Sequence, residues 1–321
     1  MLSDQIRQTI KKFGLISPND RIIVGLSGGP DSVALLYLLI GLTGEFNLSL
    51  HIAHVDHMLR NGSSRDARFV RALGKDLGIP VTVKRIDIRR IAGRGSIEET
   101  ARNQRLAFFF QTAKKIKAQK IALGHNLDDQ SETVLMRLLR GSGLYGLSGI
   151  LPKRDFKGYT IIRPLIETTR KQIDSFLKRK HITPRIDESN LQDVYLRNRL
   201  RHHLLPLLEL KYNKNIKSIL SNTAHSAAND YDYLITAARR TAAALGDRIS
   251  FKKFKALHPS MQNLVLRINF QRLKGDTRTL SYRHIQELED LLLNRPPDSI
   301  VDLPSGISAI KKKTYLRFYL R

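Results

Sequence analysis

Ser27-Gly28-Gly29-Pro30-Asp31-Ser32 stands between a short β-branched run and an almost wholly apolar stretch. Two glycines let the backbone come close to an anion and turn N–H groups toward it. A helix beginning just behind them adds its partial positive charge. The hydroxyls of Ser27 and Ser32 supply further donors. These are the ingredients of a phosphate loop, yet neither Gly-x-x-x-x-Gly-Lys-Ser/Thr nor Gly-x-Gly-x-x-Gly is present. An acid, Asp31, sits there instead. A carboxylate beside phosphates is repelled unless a cation bridges them, which points to Mg²⁺. The plainer reading is a tight turn with Asp31 capping the helix, and spacing alone leaves both open.

The elements that must position this loop are legible on either side. Arg21 to Leu26 reads as a buried strand and Ser32 to Leu42 as a buried helix. Leu48 to Val55, Val81 to Ile86 and Lys120 to Leu123 read as further strands. Ser63 to Leu77, Ser96 to about Ala118 and Asp128 to Leu139 read as helices, the second opened by a Ser96/Glu99 capping box. Strands alternating with helices predict an α/β domain with a parallel sheet and helices on both faces. Ligands bind such sheets beyond the carboxyl ends of the strands, where the loop lies.

Beyond Gly141-Ser142-Gly143 the pattern loosens. Tyr159 to Arg163 reads as a strand, Thr168 to Lys180 as a basic helix, and Leu196 to about Leu210 as a helix broken near Pro206. That break suggests a first domain over 1–207 and a second over 208–321. The second is expected to be smaller and mainly helical. Ile216 to Ala244 and Ser281 to Asn294 are its helices, and Ser299 to Tyr319 a terminal β-hairpin around Pro304-Ser305-Gly306.

Fifty-five basic residues stand against 29 acidic ones, a formal net charge of +26 over 321 residues. Such a surplus repels itself unless something anionic offsets it, and nucleic acid is the first candidate. There is no cysteine, which excludes a zinc ribbon, an iron–sulfur cluster or a thiol nucleophile built from this chain. The longest strongly apolar run, Val33 to Leu42, is about half a membrane span. No signal-peptide pattern opens the sequence. The expectation is a cytoplasmic protein without a membrane partner.

Five segments carry a family resemblance. They are the Ser27–Ser32 loop, Ala53-His54-Val55-Asp56-His57-Met58-Leu59-Arg60, Glu98-Glu99-Thr100-Ala101-Arg102-Asn103-Gln104-Arg105, Gly124-His125-Asn126-Leu127-Asp128-Asp129-Gln130-Ser131-Glu132-Thr133, and Asp187-Glu188-Ser189-Asn190 ahead of Tyr195-Leu196-Arg197-Asn198-Arg199-Leu200-Arg201. The first resembles the pyrophosphate loop of the N-type ATP pyrophosphatases (PP-loop family, adenine nucleotide alpha hydrolase-like). Together they resemble tRNA(Ile)-lysidine synthetases over about residues 20 to 205. The resemblance implies ATP and Mg²⁺, free L-lysine, and tRNA(Ile) bearing a CAU anticodon. The reaction it implies adenylates C2 of the wobble cytidine, after which the lysine ε-amine displaces AMP to form lysidine.

The resemblance also implies roles. Ser27, Gly28, Gly29, Pro30, Asp31, Ser32, Ala53, Arg105 and Gly124 would contact the nucleotide, Ala53 where backbone passes close to adenine. Lysine must attack as a free amine, and deprotonating it at neutral pH costs roughly 4.6 kcal/mol from a reference pKa of about 10.4. His125, after a strand, is the natural base. Asp128 and Glu132, four apart on a helix, can hold the lysine ammonium or, for Asp128, share Mg²⁺ with Asp31. Arg197 and Arg201 suit phosphate or pyrophosphate. A cap at His125, solvated acids and surface arginines are the plainer alternatives. His54, Asp56 and His57 could form a metal site, although a structural histidine is the simpler reading.

The basic segments Arg137-Leu138-Leu139-Arg140, Arg170-Lys171, Lys178-Arg179-Lys180 and Lys311-Lys312-Lys313 fit a tRNA backbone footprint. A tRNA-thiolating enzyme using the same adenylation is disfavoured by the missing cysteines. A small-molecule synthetase would not need the charge, and a non-catalytic nucleotide-sensing RNA-binding module would not need Asp31. The sequence does not fix an oligomeric state; a homodimer is among the arrangements it allows.

Overall fold

The computed structural model describes residues 1–59, 62–93, 95–185 and 196–321. The Asp187–Asn190 motif, Arg60 and Tyr195 lie outside the described residues. Two compact units are present, Met1–Ala228 and Asn229–Arg321, divided within the helix Ile216–Leu245.

The first unit is built on six strands: β1 (Arg21–Gly25), β2 (Ser49–Asp56), β3 (Val81–Arg85), β4 (Lys120–Ala122), β5 (Lys153–Phe156) and β6 (Tyr159–Ile162), in the order β3-β2-β1-β4-β6-β5. All neighbours run parallel except β5, which pairs antiparallel with β6. Side chains alternate across the sheet. Ile22 and Val24 join one apolar layer with the helices Leu2–Phe13, Pro30–Ile40, Ser63–Asp76 and Arg170–Arg179. Ile23 joins the opposite layer with Phe108, Phe109 and Ala113 of the helix Ile97–Ile116. The expected parallel sheet with helices on both faces is the one found.

The edge strand β5 and the helix Leu2–Phe13 are among the elements outside the expected set, as is the helix Pro259–Lys274 of the second unit. The edge strand β5 reads Lys-Arg-Asp-Phe, because an exposed edge tolerates charge that a central strand does not. The helix Leu2–Phe13 buries the stripe Leu2, Ile6 and Ile10, spaced four apart on one face. The break expected at Pro206 takes a specific form. A helix over Leu196–Arg199 widens into a π-turn segment, Leu200–Leu204, before Leu205–Lys211 resumes. Leu205 N–H donates to Leu200 O, one residue farther back than in an α-helix. Pro206 has no N–H to offer and crowds the carbonyl four residues earlier.

The division of the units falls later than the 207/208 boundary suggested by Pro206. The reason is packing: Leu208 and Leu220 rest on the cluster Leu135, Leu200 and Leu205. His225 meets Phe13 edge-on with ring centroids 5.4 Å apart.

The second unit carries the helices Pro259–Lys274 and Tyr282–Leu293 and an antiparallel sheet of β7 (Ile249–Ser250), β8 (Ile300–Leu303), β9 (Ile307–Lys311) and β10 (Tyr315–Leu320), ordered β7-β10-β9-β8. The expected hairpin is thus part of a larger sheet. Its Lys311–Lys313 run is not a free basic patch. Lys311 Nζ donates to Leu292 O at 2.9 Å and Arg295 O at 2.5 Å, closing the end of a helix, and Lys312 pairs with Asp298. Lys313 alone of the three has no protein partner among the described residues.

Gly74 marks the tightest helix-to-sheet contact: a Cβ there would stand 2.1 Å from Val81 Cγ2 and 3.1 Å from Ile79 O. Gly74→Ala gains about 1 kcal/mol of helix propensity but overpacks this seam by roughly 1–3 kcal/mol. The expected net result is a lower urea midpoint with an unchanged denaturant slope; a raised midpoint would show that the seam opens freely.

Candidate active site

β1 delivers the chain into the Ser27–Ser32 loop. Gly28 takes φ +90°, open to glycine at little cost, and Pro30 presets the first helical turn of Pro30–Ile40. The two serines tie the loop to itself. Ser32 Oγ donates to Gly29 O at 2.9 Å and accepts Ser27 N–H at 3.1 Å, and Ser27 Oγ lies 3.0 Å from it. The helix N-terminus behind them leaves its first N–H groups without intrahelical partners, ready for an anion.

Asp31 is not a cap. Gly29 is the N-cap, with no side-chain cap bond. The Asp31 carboxylate instead accepts Asn126 Nδ2–H at 2.9 Å and meets Arg170 Nη1 at 3.3 Å. Burial holds its pKa above the ordinary carboxyl value; Arg170 and Asn126 oppose the rise and the charge of Asp129 adds to it.

β4 brings the other half of the site. A Cβ on Gly124 would stand 3.0 Å from Asp31 C and 3.1 Å from Ser32 N, so only glycine lets this strand end press against the loop. Asn126 then caps the helix Leu127–Leu139 by accepting Asp129 N–H at 2.9 Å, while Asp129 Oδ2 accepts Asn126 N–H at 3.1 Å.

The acids of that helix divide differently from expectation. Glu132, fully buried, accepts Arg197 Nε and Arg201 Nε at 2.6 Å each. Asp129 accepts Arg197 Nη2 at 2.7 Å and Arg201 Nη2 at 3.3 Å. Asp128, the acid paired with Glu132 by four-residue spacing, is spent elsewhere. Its Oδ2 accepts Arg170 N–H at 2.8 Å and its Oδ1 pairs with Lys217 Nζ at 2.9 Å. Both Asp128 and Asp129 neighbour Glu132 on a helix, and only the partners arriving from other elements choose between them. Asp128 therefore does not fit as a metal ligand beside Asp31. The acid whose charge is felt at Asp31 is Asp129. Among the described residues no group of three His, Cys, Asp or Glu could hold a metal. Asp31 with substrate phosphate oxygens fits Mg²⁺, which takes one or two carboxylates and fills its shell from phosphate and water.

His125 is placed at the strand end but not as a base. Arg163 Nε donates to His125 Nδ1 at 3.2 Å, and Arg163 Nη1 is anchored on Leu151 O at 2.6 Å. With Nδ1 occupied as an acceptor, the neutral ring carries its hydrogen on Nε2 and keeps no lone pair for a proton. Burial, then the charges of Arg163, Arg105, Arg197 and Arg102, push its pKa well below the ordinary histidine value. His125 is a neutral donor.

Arg105, half-buried on the helix Ile97–Ile116, lies close enough to depress both His125 and His57. Arg105 Nε and His57 Nδ1 are buried without a hydrogen-bond partner among the described residues. His54 is structural, with Nδ1–H donating to Leu26 O at 2.8 Å. Ala53 is fully buried under the helix Ile97–Ile116, and its carbonyl accepts Leu26 N–H at 3.0 Å. Its side chain packs the sheet beside the loop and does not line an open surface.

Sequence reasoning left Asn126, Asp129, Arg163 and Arg170 out of the site. Asn126 and Asp129 lie inside the segment that drew notice, but nothing in one dimension ranks them above Asp128. Arg170 belongs to a basic segment that the sequence assigns to RNA. Arg137, likewise assigned, spends Nη1 on Gly146 O and Gly149 O at 2.8 Å each.

Residues 2–208 match the family described as PP-loop domain, and residues 250–307 the one described as TilS substrate binding domain. The tRNA(Ile)-lysidine synthase of Clostridioides difficile strain 630 is 37% identical over 98% of this chain and 69% of its own length. That of Caldanaerobacter subterraneus subsp. tengcongensis is 35% identical over 96% of this chain and 67% of its own. The chain thus spans about two thirds of these relatives. Among solved structures, the U34-tRNA thiolase NcsA from Methanococcus maripaludis superposes with TM-score 0.59 at 18% identity, covering 70% of this chain and 78% of that one, a likeness of fold.

Burial and then the Arg105 charge lower the His57 pKa from 6.5 to about 4. The unfolded chain then binds a proton that the folded one refuses between these values, so stability falls as pH drops from about 6.5 toward 4. Urea midpoints across that range should decline less steeply for His57→Gln than for the unaltered protein. Parallel curves would show that His57 titrates normally.

Proposed function

The chain belongs to the tRNA(Ile)-lysidine synthase family, and from that premise we propose that it joins the ε-amine of free L-lysine to C2 of the wobble cytidine in the CAU anticodon of tRNA(Ile). ATP is the co-substrate of this PP-loop fold. The observation that carries the reading is the convergence of an acid-bearing phosphate loop with an acid–arginine cluster across the β1 and β4 ends, joined by Asn126 on Asp31.

Adenylation transfers the α-phosphoryl group to the C2 oxygen of cytidine: the O2–Pα bond forms, the Pα–O bond to the β-phosphate breaks, and pyrophosphate leaves with the electron pair. The Ser27–Ser32 loop and the helix N-terminus behind it bind the phosphates. Mg²⁺, held by Asp31, would offset charge on the departing pyrophosphate. Lysine then attacks C2, AMP departs with the C2–O bond pair, and the amine loses a proton.

Asp129, Arg197 and Arg201 suit a zwitterionic amino-acid head, the acid for the α-ammonium and the arginines for the carboxylate, while the fully buried Glu132 holds both arginines in place. The ε-amine must reach C2 uncharged. The burial and, after it, the positive surroundings that keep His125 neutral act on an amine in the same sense, favouring the free base without a dedicated histidine. His125 Nε2–H and the unpartnered Arg105 Nε–H are donors for the cytidine or the adenylate. The surplus of 26 positive charges supplies attraction for the tRNA backbone.

Labelled lysine should enter tRNA(Ile) bearing CAU only when ATP and Mg²⁺ are both present, with AMP released in equal amount. Failure of incorporation alongside tRNA-dependent pyrophosphate release would keep the adenylation and overturn lysine as nucleophile. Asp31→Asn should reduce AMP formation by a factor of about 10² or more while tRNA affinity stays within about twofold. Full activity in that variant would remove Asp31 from the chemistry.

A further inference from the structure

We propose that Arg170 is a pyrophosphate-binding residue of this active site, held in place by three carboxylates and reaching the β- and γ-phosphates of ATP through its outer guanidinium nitrogen; this rests on the adenylating function above. Arg170 opens the helix Arg170–Arg179. Asp128 Oδ2 accepts its backbone N–H at 2.8 Å, Asp174 Oδ1 accepts Nε–H at 2.9 Å, and Asp31 Oδ2 takes Nη1 at 3.3 Å. These acids come from three different helices, and they leave Nη2 with no protein partner among the described residues. The side chain is 42% exposed and touches the phosphate-loop acid Asp31.

A surface arginine satisfied by one neighbour would be unremarkable, but this one is aimed. Its backbone is fixed by the acid that the helix Leu127–Leu139 withholds from the Arg197–Arg201 cluster. Lys217, 2.9 Å from the other oxygen of Asp128, steadies that acid in turn. An anion arriving at the loop meets Asp31, which repels it, and Arg170 is the cation in contact with that carboxylate. A planar guanidinium with a free edge suits two phosphate oxygens at once, and it stays bound to the pyrophosphate as the bond to the α-phosphorus breaks. Asp128 and Lys217 are then positioning residues for Arg170.

The test measures competition by inorganic pyrophosphate and the ATP dependence of tRNA-dependent AMP formation in Arg170→Gln, Arg170→Lys and the unaltered chain. Arg170→Gln should raise both the ATP KM and the pyrophosphate inhibition constant at least about tenfold, the loss of one charged hydrogen bond. Arg170→Lys should recover part of both, since it restores charge without the fork. Asp128→Asn should move the same two constants in the same direction by less. Direct binding of pyrophosphate to the full chain, without tRNA or lysine, gives a readout that survives if lysidine is not the product. A fall in kcat with both constants unchanged in a folded Arg170→Gln protein would overturn the proposal and leave Arg170 as a prop for Asp31.

Discussion

The close approach of the β4 end to the phosphate loop is the contact on which the site depends. Gly124 is tolerated there because a Cβ would meet the Asp31 and Ser32 backbone at 3.0–3.1 Å. That proximity lets Asn126 do two jobs, capping its own helix through Oδ1 and donating to Asp31 through Nδ2. Two βα units, far apart in sequence, are thereby set in register at the ends of adjacent parallel strands. The phosphate loop and the acidic helix become one site because a side chain is missing.

The second constraint is charge. A fully buried carboxylate such as Glu132 would be strongly disfavoured alone, and two arginine Nε groups at 2.6 Å compensate it. The π-turn segment Leu200–Leu204, forced by Pro206, carries Arg201, while Arg197 sits one helical turn earlier. A proline that looks like a domain break therefore also shapes the surroundings of the acid–arginine cluster. The same balancing runs through Asp31, Arg170, Asp128 and Lys217, where every acid has a cation or an N–H to meet it. Arg105 Nε and His57 Nδ1 are buried polar atoms left without a hydrogen-bond partner among the described residues.

The tRNA surface is narrower than the basic count implies. Arg137, Lys311 and Lys312 serve carbonyls and an acid within the protein, so part of the surplus builds structure. Charge in a sequence counts residues; attraction for a polyanion counts only those whose charge is left uncompensated at the surface.

The parallel α/β architecture, the phosphate loop and the segments that carry the family resemblance are legible in the amino-acid order. Strand runs such as Arg21–Gly25 and the capped helix Ile97–Ile116 follow from local preference and side-chain period, which act over a few neighbouring residues. Tertiary structure alone decided the roles within those segments. Asp128 and Asp129 are equivalent along the chain; Arg170 and Lys217 claim one, Arg197 and Arg201 the other. His125 looks like a base until Arg163, 38 residues away, occupies its lone pair. Protonation state and partner choice depend on fields and hydrogen bonds from elements distant in sequence, and those exist only once the chain has folded.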